Sequence, residues 1–170
     1  MDEEISGPLV SIVMGSKSDL PLMQASMDIL SILKVPYEMD IVSAHRTPKK
    51  MYSYAQEVET RGVKVVIAGA GGAAHLPGMI AAMTILPVVG VPIPATKLEG
   101  LDSLLSIVQM PAGVPVATVA IGNAENAGLL AAKILATSHP RFAAAIKTYK
   151  EKLESKVDAS SLANKTVYLP

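Results

Sequence analysis

Residues 9–21 have the sequence LVSIVMGSKSDLP, in which a short apolar run ends at a glycine and a polar loop leads to Asp19-Leu20-Pro21. The run at residues 9–14 is rich in β-branched side chains, which is typical of a strand buried on both faces of a parallel sheet. Asp19 followed by a proline in the first turn predicts the start of a helix. These residues therefore predict one strand–loop–helix unit.

The same unit recurs along the chain. We expect further strands at about residues 37–42, 63–68, 87–91 and 114–120. We expect helices at about residues 22–33, 48–58, 77–83, 101–108 and 127–135, and a more charged one at 141–154. Strands that alternate with helices form a parallel sheet with helices on both faces. Five strands predict an α/β, flavodoxin-like three-layer sandwich whose five-stranded parallel sheet has the order 2-1-3-4-5.

No repeat or internal boundary interrupts this pattern, so we expect one domain over residues 1–170. Its core should span about residues 9–136, followed by a C-terminal helix and tail at residues 137–170. The tail from residue 157 is polar, and it is expected either to be loosely held or to cross to a neighbouring subunit.

The composition excludes several classes of protein. Hydrophobic residues make up 50% of the 170 residues and charged residues 18%, which is too apolar for a disordered chain. Fifteen basic side chains balance fifteen acidic ones, so no global positive field favours nucleic acid. The chain has no cysteine, which excludes disulfides, cysteine nucleophiles and thiolate metal sites.

The acidic start Met1-Asp2-Glu3-Glu4 is followed by no hydrophobic run, which predicts no signal peptide and a cytoplasmic protein. Residues 65–96 contain no Asp, Glu, Lys or Arg, but glycines and prolines divide them into pieces. A membrane-spanning helix needs about 20 predominantly apolar residues, so we expect no membrane span. The apolar excess of so short a chain instead predicts that other subunits cover some helix faces; a compact, alanine-rich monomer is the alternative.

Ligands of such sheets bind beyond the carboxyl ends of the strands, so the loops after the first three strands are the candidate site. The first loop, residues 15–19, has a glycine, two hydroxyls and a helix start behind it. This combination suits an anion, because free N–H groups and the helix dipole point at the loop. Plain capping of the helix by Ser18 or Asp19 is the alternative. The loop matches neither the P-loop nor the GxGxxG pattern.

The second loop is Ser43-Ala44-His45-Arg46-Thr47, next to the proline that begins another helix. Arginine can clamp a phosphate or a carboxylate with two hydrogen bonds, and histidine can move a proton near neutral pH. A lone histidine is usually structural, but one beside arginine, serine and threonine at this edge favours a functional role.

The third loop, residues 69–78, is rich in glycine and alanine and contains His75. Glycines allow a ligand to lie against backbone N–H groups. His75 either faces the site or caps the next helix, and the sequence does not separate these alternatives. His139, before Pro140, is expected to be structural, at the start of a helix.

Neither a metal-ligand spacing nor a G-x-S-x-G nucleophile elbow is present. The charged groups of the three loops favour proton transfer on an anionic small molecule over hydrolysis or redox catalysis. A flavin-binding or receiver module is a rival of another class. Few aromatic residues are available to stack on a flavin, and the first strand does not end in a receiver's acidic pair.

Four motifs together resemble one family. They are MGSKSD at residues 14–19, SAHRTP at 43–48, AGAGGAAHLPG at 68–78 and DSLLSIVQMP at 102–111, with VATVAI at 116–121 extending the match. In this order they are similar to the N5-carboxyaminoimidazole ribonucleotide mutases, the mutase class of the PurE family, and the resemblance covers about residues 9–136. It implies a flavodoxin-like fold, usually an octamer, with no metal, nucleotide or organic cofactor.

The resemblance implies that the carboxylate moves from N5 to C4 of the imidazole through bound carbon dioxide and aminoimidazole ribonucleotide. It makes His45 the catalytic proton shuttle. Arg46 and Ser18 would hold the 5′-phosphate, and Asp19 the ribose hydroxyls. The migrating carboxylate would contact Ser16, Ser43 and the backbone of Ala70 and Gly71. His75 belongs to the implied substrate-binding set.

An aminoimidazole ribonucleotide carboxylase that uses free carbon dioxide is the alternative within the family. The segment at residues 122–127 is shorter than in many free-standing bacterial members and is closer to the form fused to the ATP-dependent synthetase that makes the substrate. That N5-carboxyaminoimidazole ribonucleotide synthetase is therefore an expected functional partner.

Overall fold

The computed structural model describes residues 6–163, in which five strands alternate with helices. The strands are β1 (Val10–Met14), β2 (Tyr37–Ile41), β3 (Val65–Gly71), β4 (Val88–Ile93) and β5 (Ala117–Thr118). The helices are α1 (Leu20–Ile32), α2 (Pro48–Glu57), α3 (Leu76–Ala81), α4 (Leu101–Val108), α5 (Ala124–Ala136) and α6 (Pro140–Ala163). The acidic start Met1-Asp2-Glu3-Glu4 and the last seven residues of the predicted tail lie outside the described residues.

The five strands form one parallel sheet of order β2-β1-β3-β4-β5, which confirms the predicted fold. In the register, Met14 at the end of β1 lies opposite Ile41 of β2 and Gly69 of β3. The order reverses at β1, because the chain leaves β1 for the β2 edge and then returns past it to β3. The three loops that follow these strands therefore leave the sheet side by side.

Two apolar cores lie on opposite faces of the sheet. Side chains of α1, α5 and α6, including Met23, Leu30 and Phe142, cover one face together with β1 and β3 residues such as Ile12. Side chains of α2, α3 and α4 cover the other, with Ile107 of α4 fully buried. The buried strands β1 and β4 have no exposed residue, as expected for a sheet covered on both faces.

A buried chain of hydrogen bonds joins the second strand to its neighbours. The Tyr54 hydroxyl of α2 donates to Ser11 Oγ of β1 at 2.7 Å, and Ser11 Oγ donates to Glu38 Oε1 of β2 at 2.9 Å. Arg61 Nη2 donates to the same carboxylate oxygen at 2.8 Å. Burial raises the pKa of Tyr54 to about 12, so the phenol keeps its proton. The network anchors β2 and α2, which carry the second loop between them.

The bounds of two strands, β3 and β5, differ from those predicted. β3 continues through Gly71, so the first three residues of the predicted glycine loop are strand. These glycines pair with β4, and a Cβ at Gly69 would lie 2.5 Å from Met23 Sδ. β5 is limited to Ala117–Thr118 within the predicted 114–120, because only these two residues pair with β4. Pro115 lacks the N–H that a longer strand would need.

The last two helices are longer than predicted. α5 begins at Ala124 rather than residue 127, because Asn123 Oδ1 accepts the Asn126 N–H at 3.0 Å and caps an earlier turn. α6 extends from Pro140 to Ala163 and so includes the first part of the predicted polar tail. Among residues 6–163, no helix combines the length and apolar character that a membrane crossing requires.

Candidate active site

The three loops enclose a cavity of about 300 Å³ at the carboxyl edge of the sheet. This is the edge at which ligands of open α/β sheets bind, beside the reversal of strand order. The cavity is lined by every residue that the resemblance assigns to catalysis or binding: Ser16, Ser18, Asp19, Ser43, His45, Arg46, Ala70, Gly71 and His75. The structure thus brings the complete predicted set together, and the role of each residue stays a prediction.

The first loop is held by its own serines. Ser16 Oγ accepts the Ser18 N–H at 3.3 Å, and the two hydroxyl oxygens lie 2.9 Å apart. These contacts close a 3₁₀ turn at Lys17–Asp19 that precedes α1. Asp19 occupies the N-cap position of α1 with a proline in the first turn, as predicted, but its side chain makes no capping hydrogen bond. The alternative of plain capping by the Asp19 side chain is therefore not supported.

Asp19 is buried, with 7% of its surface exposed, although it forms no salt bridge with any side chain in the described part of the chain. Its Oδ1 lies 3.4 Å from the Ser18 hydroxyl. Burial raises the pKa of the Asp19 carboxyl, and this effect outweighs the hydrogen bonds from Ser16 and Ser18 and the attraction of Arg46, which lower it. A carboxyl that has lost most of its water is ready to accept hydrogen bonds from hydroxyl groups of a ligand.

Arg46 connects the second loop to the first. Its Nη2 donates to the Gly15 carbonyl at 2.9 Å, and its backbone N–H donates to Ser43 Oγ at 3.1 Å. Thr47 Oγ1 accepts the Ser43 N–H at 3.1 Å and lies 3.1 Å from the Ser43 carbonyl. The loop is therefore rigid before any ligand binds, and no carboxylate forms a salt bridge with Arg46 among the described residues.

The two histidines of the cavity contact each other. His45 Nε2 lies 2.8 Å from His75 Nδ1, and the rings meet edge to face with centroids 4.8 Å apart. A hydrogen bond between two imidazole nitrogens needs one donor and one acceptor, so the tautomer of one ring determines that of the other. Of the two alternatives for His75, the structure supports the one that faces the site: its side chain does not cap α3.

The start of the third loop presents mainly backbone to the cavity. Ala70 and Gly71 end β3 against the end of β4, and a Cβ at Gly71 would lie 2.5 Å from Ala95 Cβ. Gly72 follows with φ of 65°, a left-handed conformation that favours glycine. The predicted close approach of backbone to a ligand is consistent with this geometry.

Sequence reasoning missed the contribution of the connection between β4 and α4. Ala95 lines the cavity, and the buried Ser103 hydroxyl accepts the Gly72 N–H at 2.8 Å. Ser103 belongs to the DSLLSIVQMP motif, which carried part of the resemblance without any role. The motif that contains Ser103 could be identified in the sequence. Its contact with Gly72, 31 residues earlier in the chain, could not.

His139 lies outside this site. It immediately precedes α6, its carbonyl accepts the Phe142 N–H at 3.0 Å, and its ring packs edge to face against Phe142. The predicted structural role at the start of a helix is confirmed. Within the part of the chain that the structure describes, no group of three or more His, Asp or Glu side chains is placed to hold a metal ion.

Comparison with known proteins agrees with this geometry. The sequence model of the AIR carboxylase family matches residues 9–156. The chain belongs to this family.

Similar proteins are found in several organisms. The N5-carboxyaminoimidazole ribonucleotide mutase of Thermotoga maritima is 59% identical over 150 residues, which are 88% of each chain. That of Pyrococcus horikoshii is 58% identical over 89% of this chain and 85% of its own. The phosphoribosylaminoimidazole carboxylase of Schizosaccharomyces pombe is 57% identical over 89% of this chain, but the match is only 28% of its length. The resemblance seen in the loops is confirmed.

A solved structure shows the same family fold at lower identity. The crystal structure of Treponema denticola PurE superposes with a TM-score of 0.86 and covers 94% of this chain and 99% of its own. It is 30% identical in sequence. The flavodoxin-like order of strands is therefore the fold of the family.

We expect Asp19→Asn to raise the melting temperature at neutral pH. The raised pKa means that the folded protein binds this proton more tightly than the unfolded chain does. Ionisation of Asp19 therefore lowers the free energy of unfolding. This loss is absent below the ordinary Asp pKa of 3.8, grows as the pH rises through the raised pKa of the folded state, and is complete above that pKa. Thermal unfolding of both proteins between about pH 4 and about pH 8 measures this difference.

The higher melting temperature of Asp19→Asn should approach the wild-type value as the pH falls. Asp28→Asn, on the exposed side of α1, is the matched control and should shift the melting temperature by no more than about 2 °C. A wild-type protein more stable than Asp19→Asn at about pH 8 would contradict the expected cost of burying this charge.

Proposed function

We infer that this protein is an N5-carboxyaminoimidazole ribonucleotide mutase, an isomerase of de novo purine biosynthesis. The observation that carries the inference is a cavity in which a hydrogen-bonded pair of imidazoles lies with a guanidinium and three serine hydroxyls. Such a cavity combines proton transfer with the binding of an anion. The mutases of Thermotoga maritima and Pyrococcus horikoshii, 59% and 58% identical, support the same activity.

The reaction moves a carboxylate from N5 to C4 of the imidazole. The bond between N5 and the carboxyl carbon breaks as N5 takes up a proton, which leaves carbon dioxide and aminoimidazole ribonucleotide in the site. C4 then forms the new bond to this carbon and releases its own proton. N5 gains one proton and C4 loses one, so a single group can serve both steps.

His45 is the group that we assign to both transfers. As an imidazolium it donates to N5, and as a neutral imidazole it accepts the proton from C4. Its Nε2 is occupied by His75, and Nδ1 has no hydrogen-bond partner among residues 6–159. The ring can therefore reach the substrate through Nδ1 while His75 holds its other nitrogen.

The remaining side chains of the cavity suit a ribonucleotide with two anionic groups. Arg46 and Ser18 supply donors for the 5′-phosphate. The buried Asp19 accepts from the ribose hydroxyls, which replace the water it lost on folding. In this assignment Ser16, Ser43 and the backbone of Ala70 and Gly71 surround the carboxylate, and His75 completes the substrate contacts.

A carboxylase acting on aminoimidazole ribonucleotide and free carbon dioxide is the second candidate. It is favoured by the description of the family as AIR carboxylase and by the name of the Schizosaccharomyces pombe relative. The two reactions share the second half of the mechanism and differ in whether the carboxyl group arrives on N5.

The assembly we propose is a homo-octamer in the cytoplasm. Its support is an exposed apolar patch on and beside the outer side of α4: Leu98, Leu101, Leu105, Val108 and Ile121 are all 37–61% exposed. Water contact with this much apolar surface is costly, and packing against another subunit removes it. Such packing would also close the cavity and retain carbon dioxide.

We also propose that an ATP-dependent N5-carboxyaminoimidazole ribonucleotide synthetase supplies the substrate. The mutase consumes an unstable carbamate. This compound must therefore be produced close to the mutase, before it decomposes. The match to only 28% of the Schizosaccharomyces pombe relative indicates that the family sequence also occurs within longer chains.

The first experiment is an assay with freshly made N5-carboxyaminoimidazole ribonucleotide in buffer depleted of bicarbonate. We expect rapid conversion to the C4-carboxylated product, followed by its absorbance, without any added cofactor. Activity only with aminoimidazole ribonucleotide and bicarbonate would instead identify a carboxylase. No activity with either substrate would reject both candidates.

We expect His45→Asn to lower kcat by about 10²- to 10⁴-fold, because asparagine retains polar contacts but cannot transfer a proton. Substrate binding, measured by calorimetry, should remain detectable. A variant that turns over at a rate near that of the wild type would show that another group moves the proton.

Arg46→Ala is the complementary variant and should act mainly on binding. Loss of a charge-assisted hydrogen bond of about 1.5–3 kcal/mol predicts an increase in KM of about 10- to 100-fold. An unchanged KM would remove Arg46 from the phosphate site.

The mass in solution tests the octamer. Light scattering on the wild-type protein should give a mass of eight chains, and Leu105→Lys should yield smaller species because it places a charge in the proposed interface. A wild-type mass equal to one chain would rule out the proposed assembly.

A further inference from the structure

One fully buried hydroxyl group links the third loop both to the helix behind it and to the end of β4. Ser103, in the first turn of α4, is fully buried and does not line the cavity. Its Oγ accepts the Gly72 N–H at 2.8 Å and donates to the Ile93 carbonyl at 2.8 Å. One side chain therefore joins the loop after β3 to the end of β4.

Two further contacts hold the third loop against β4 and α4. Gly71 packs so closely on the β4–α4 connection that an added Cβ would lie 3.2 Å from the Ile93 carbonyl oxygen. Ser106, one turn along α4, places its Oγ 3.4 Å from the Gly72 carbonyl oxygen. Both polar groups of the Gly72 backbone thus face hydroxyls of α4.

The fastened loop carries the parts of the site that handle the reacting atoms. Ala70 and Gly71 stand immediately before Gly72, and His75 follows three residues after it. The Arg46, Ser18 and Asp19 side chains, which we assign to phosphate and ribose, belong to the other two loops. A shift of Gly72 would therefore move His75 relative to His45 and leave the ribose phosphate anchor in place.

We propose that Ser103 is a positioning residue for the mutase reaction. It holds the Gly72 backbone so that Ala70 and Gly71 meet the migrating carboxylate and His75 meets His45 Nε2 at 2.8 Å. The catalytic part of this inference rests on the proposed function. Proton transfer is sensitive to displacements well below the size of an atom, so a distant anchor can control the rate.

Ser103→Ala should lower kcat by about 10- to 100-fold and leave KM within about twofold of the wild-type value. It should also speed hydrogen–deuterium exchange of the Gly72 amide by at least about fivefold, because that N–H loses its acceptor. Ser103→Cys keeps nearly the same volume with a much weaker hydrogen bond, so its kcat should lie near that of the alanine variant.

Ser26→Ala is the matched control. Ser26 is also fully buried, and its hydroxyl donates to the Ala124 carbonyl at 2.6 Å, between α1 and α5 and away from the loops. Its loss should destabilise the fold by a similar amount and leave kcat within about twofold of the wild-type value. This comparison separates a general loss of stability from a local effect on the site.

The outcomes are distinct. A wild-type kcat in Ser103→Ala, or a full kcat in Ser103→Cys, would overturn the positioning role. Unchanged exchange of the Gly72 amide would overturn the anchoring contact itself. A wild-type protein without mutase activity would reject the proposed function and the catalytic part of this inference, while the Gly72 exchange would still decide the anchoring part.

Discussion

The parallel register of β1 between β2 and β3 determines the point at which every loop of the site leaves the sheet. Met14 lies opposite Ile41 and Gly69, so β1 and β2 end at the same level and β3 continues two residues further, to Gly71. The Gly15 N–H then donates to the Gly69 carbonyl at 3.3 Å, and Arg46 closes the other side through the Gly15 carbonyl. A slip of one residue would turn each buried side chain to the opposite face and separate these contacts.

Close packing at the end of β3 depends on this register. Gly69 contacts Met23 on one face of the sheet, and Gly71 contacts Ala95 at the end of β4. Because neither glycine has a Cβ, the end of β3 can pack this closely, and the Ala70–Gly71 segment lines the cavity. The Ser103 hydroxyl accepts the N–H of Gly72, the next residue, and so holds this end of β3 in place. The site is thus supported by both cores and by the helix that follows β4.

The polar groups of the site show a conflict between stability and function. Asp19 is buried without a salt bridge to any of the described residues, and the His45–His75 pair brings two basic rings within hydrogen-bond distance. A core designed only for stability would avoid both arrangements. In the proposed function, hydroxyl and anionic groups of the substrate would satisfy both arrangements, which would offset their cost in stability.

Local sequence patterns were sufficient to predict the fold and the position of the candidate site. Alternating β-branched runs and helical segments predicted the strand order, and the residue types of residues 15–19, 43–48 and 69–78 predicted an anion-binding, proton-transferring site. The strand order is confirmed, because strand burial depends on neighbours along the chain, and the chemistry of the site stays a prediction. Boundaries at Gly69–Gly71, Ala117 and Ala124 were missed, because strand pairing and side-chain capping override local propensity there.

The orientation of His75, the burial of Asp19 and the role of Ser103 came only from the folded structure. His75 and Ser103 depend on partners that the sheet brings close: His45 lies 30 residues before His75, and Gly72 lies 31 residues before Ser103. The residue types that carry the chemistry can be identified along the chain. The hydrogen bonds that give them their geometry form between distant segments, and no local pattern encodes which atoms will meet.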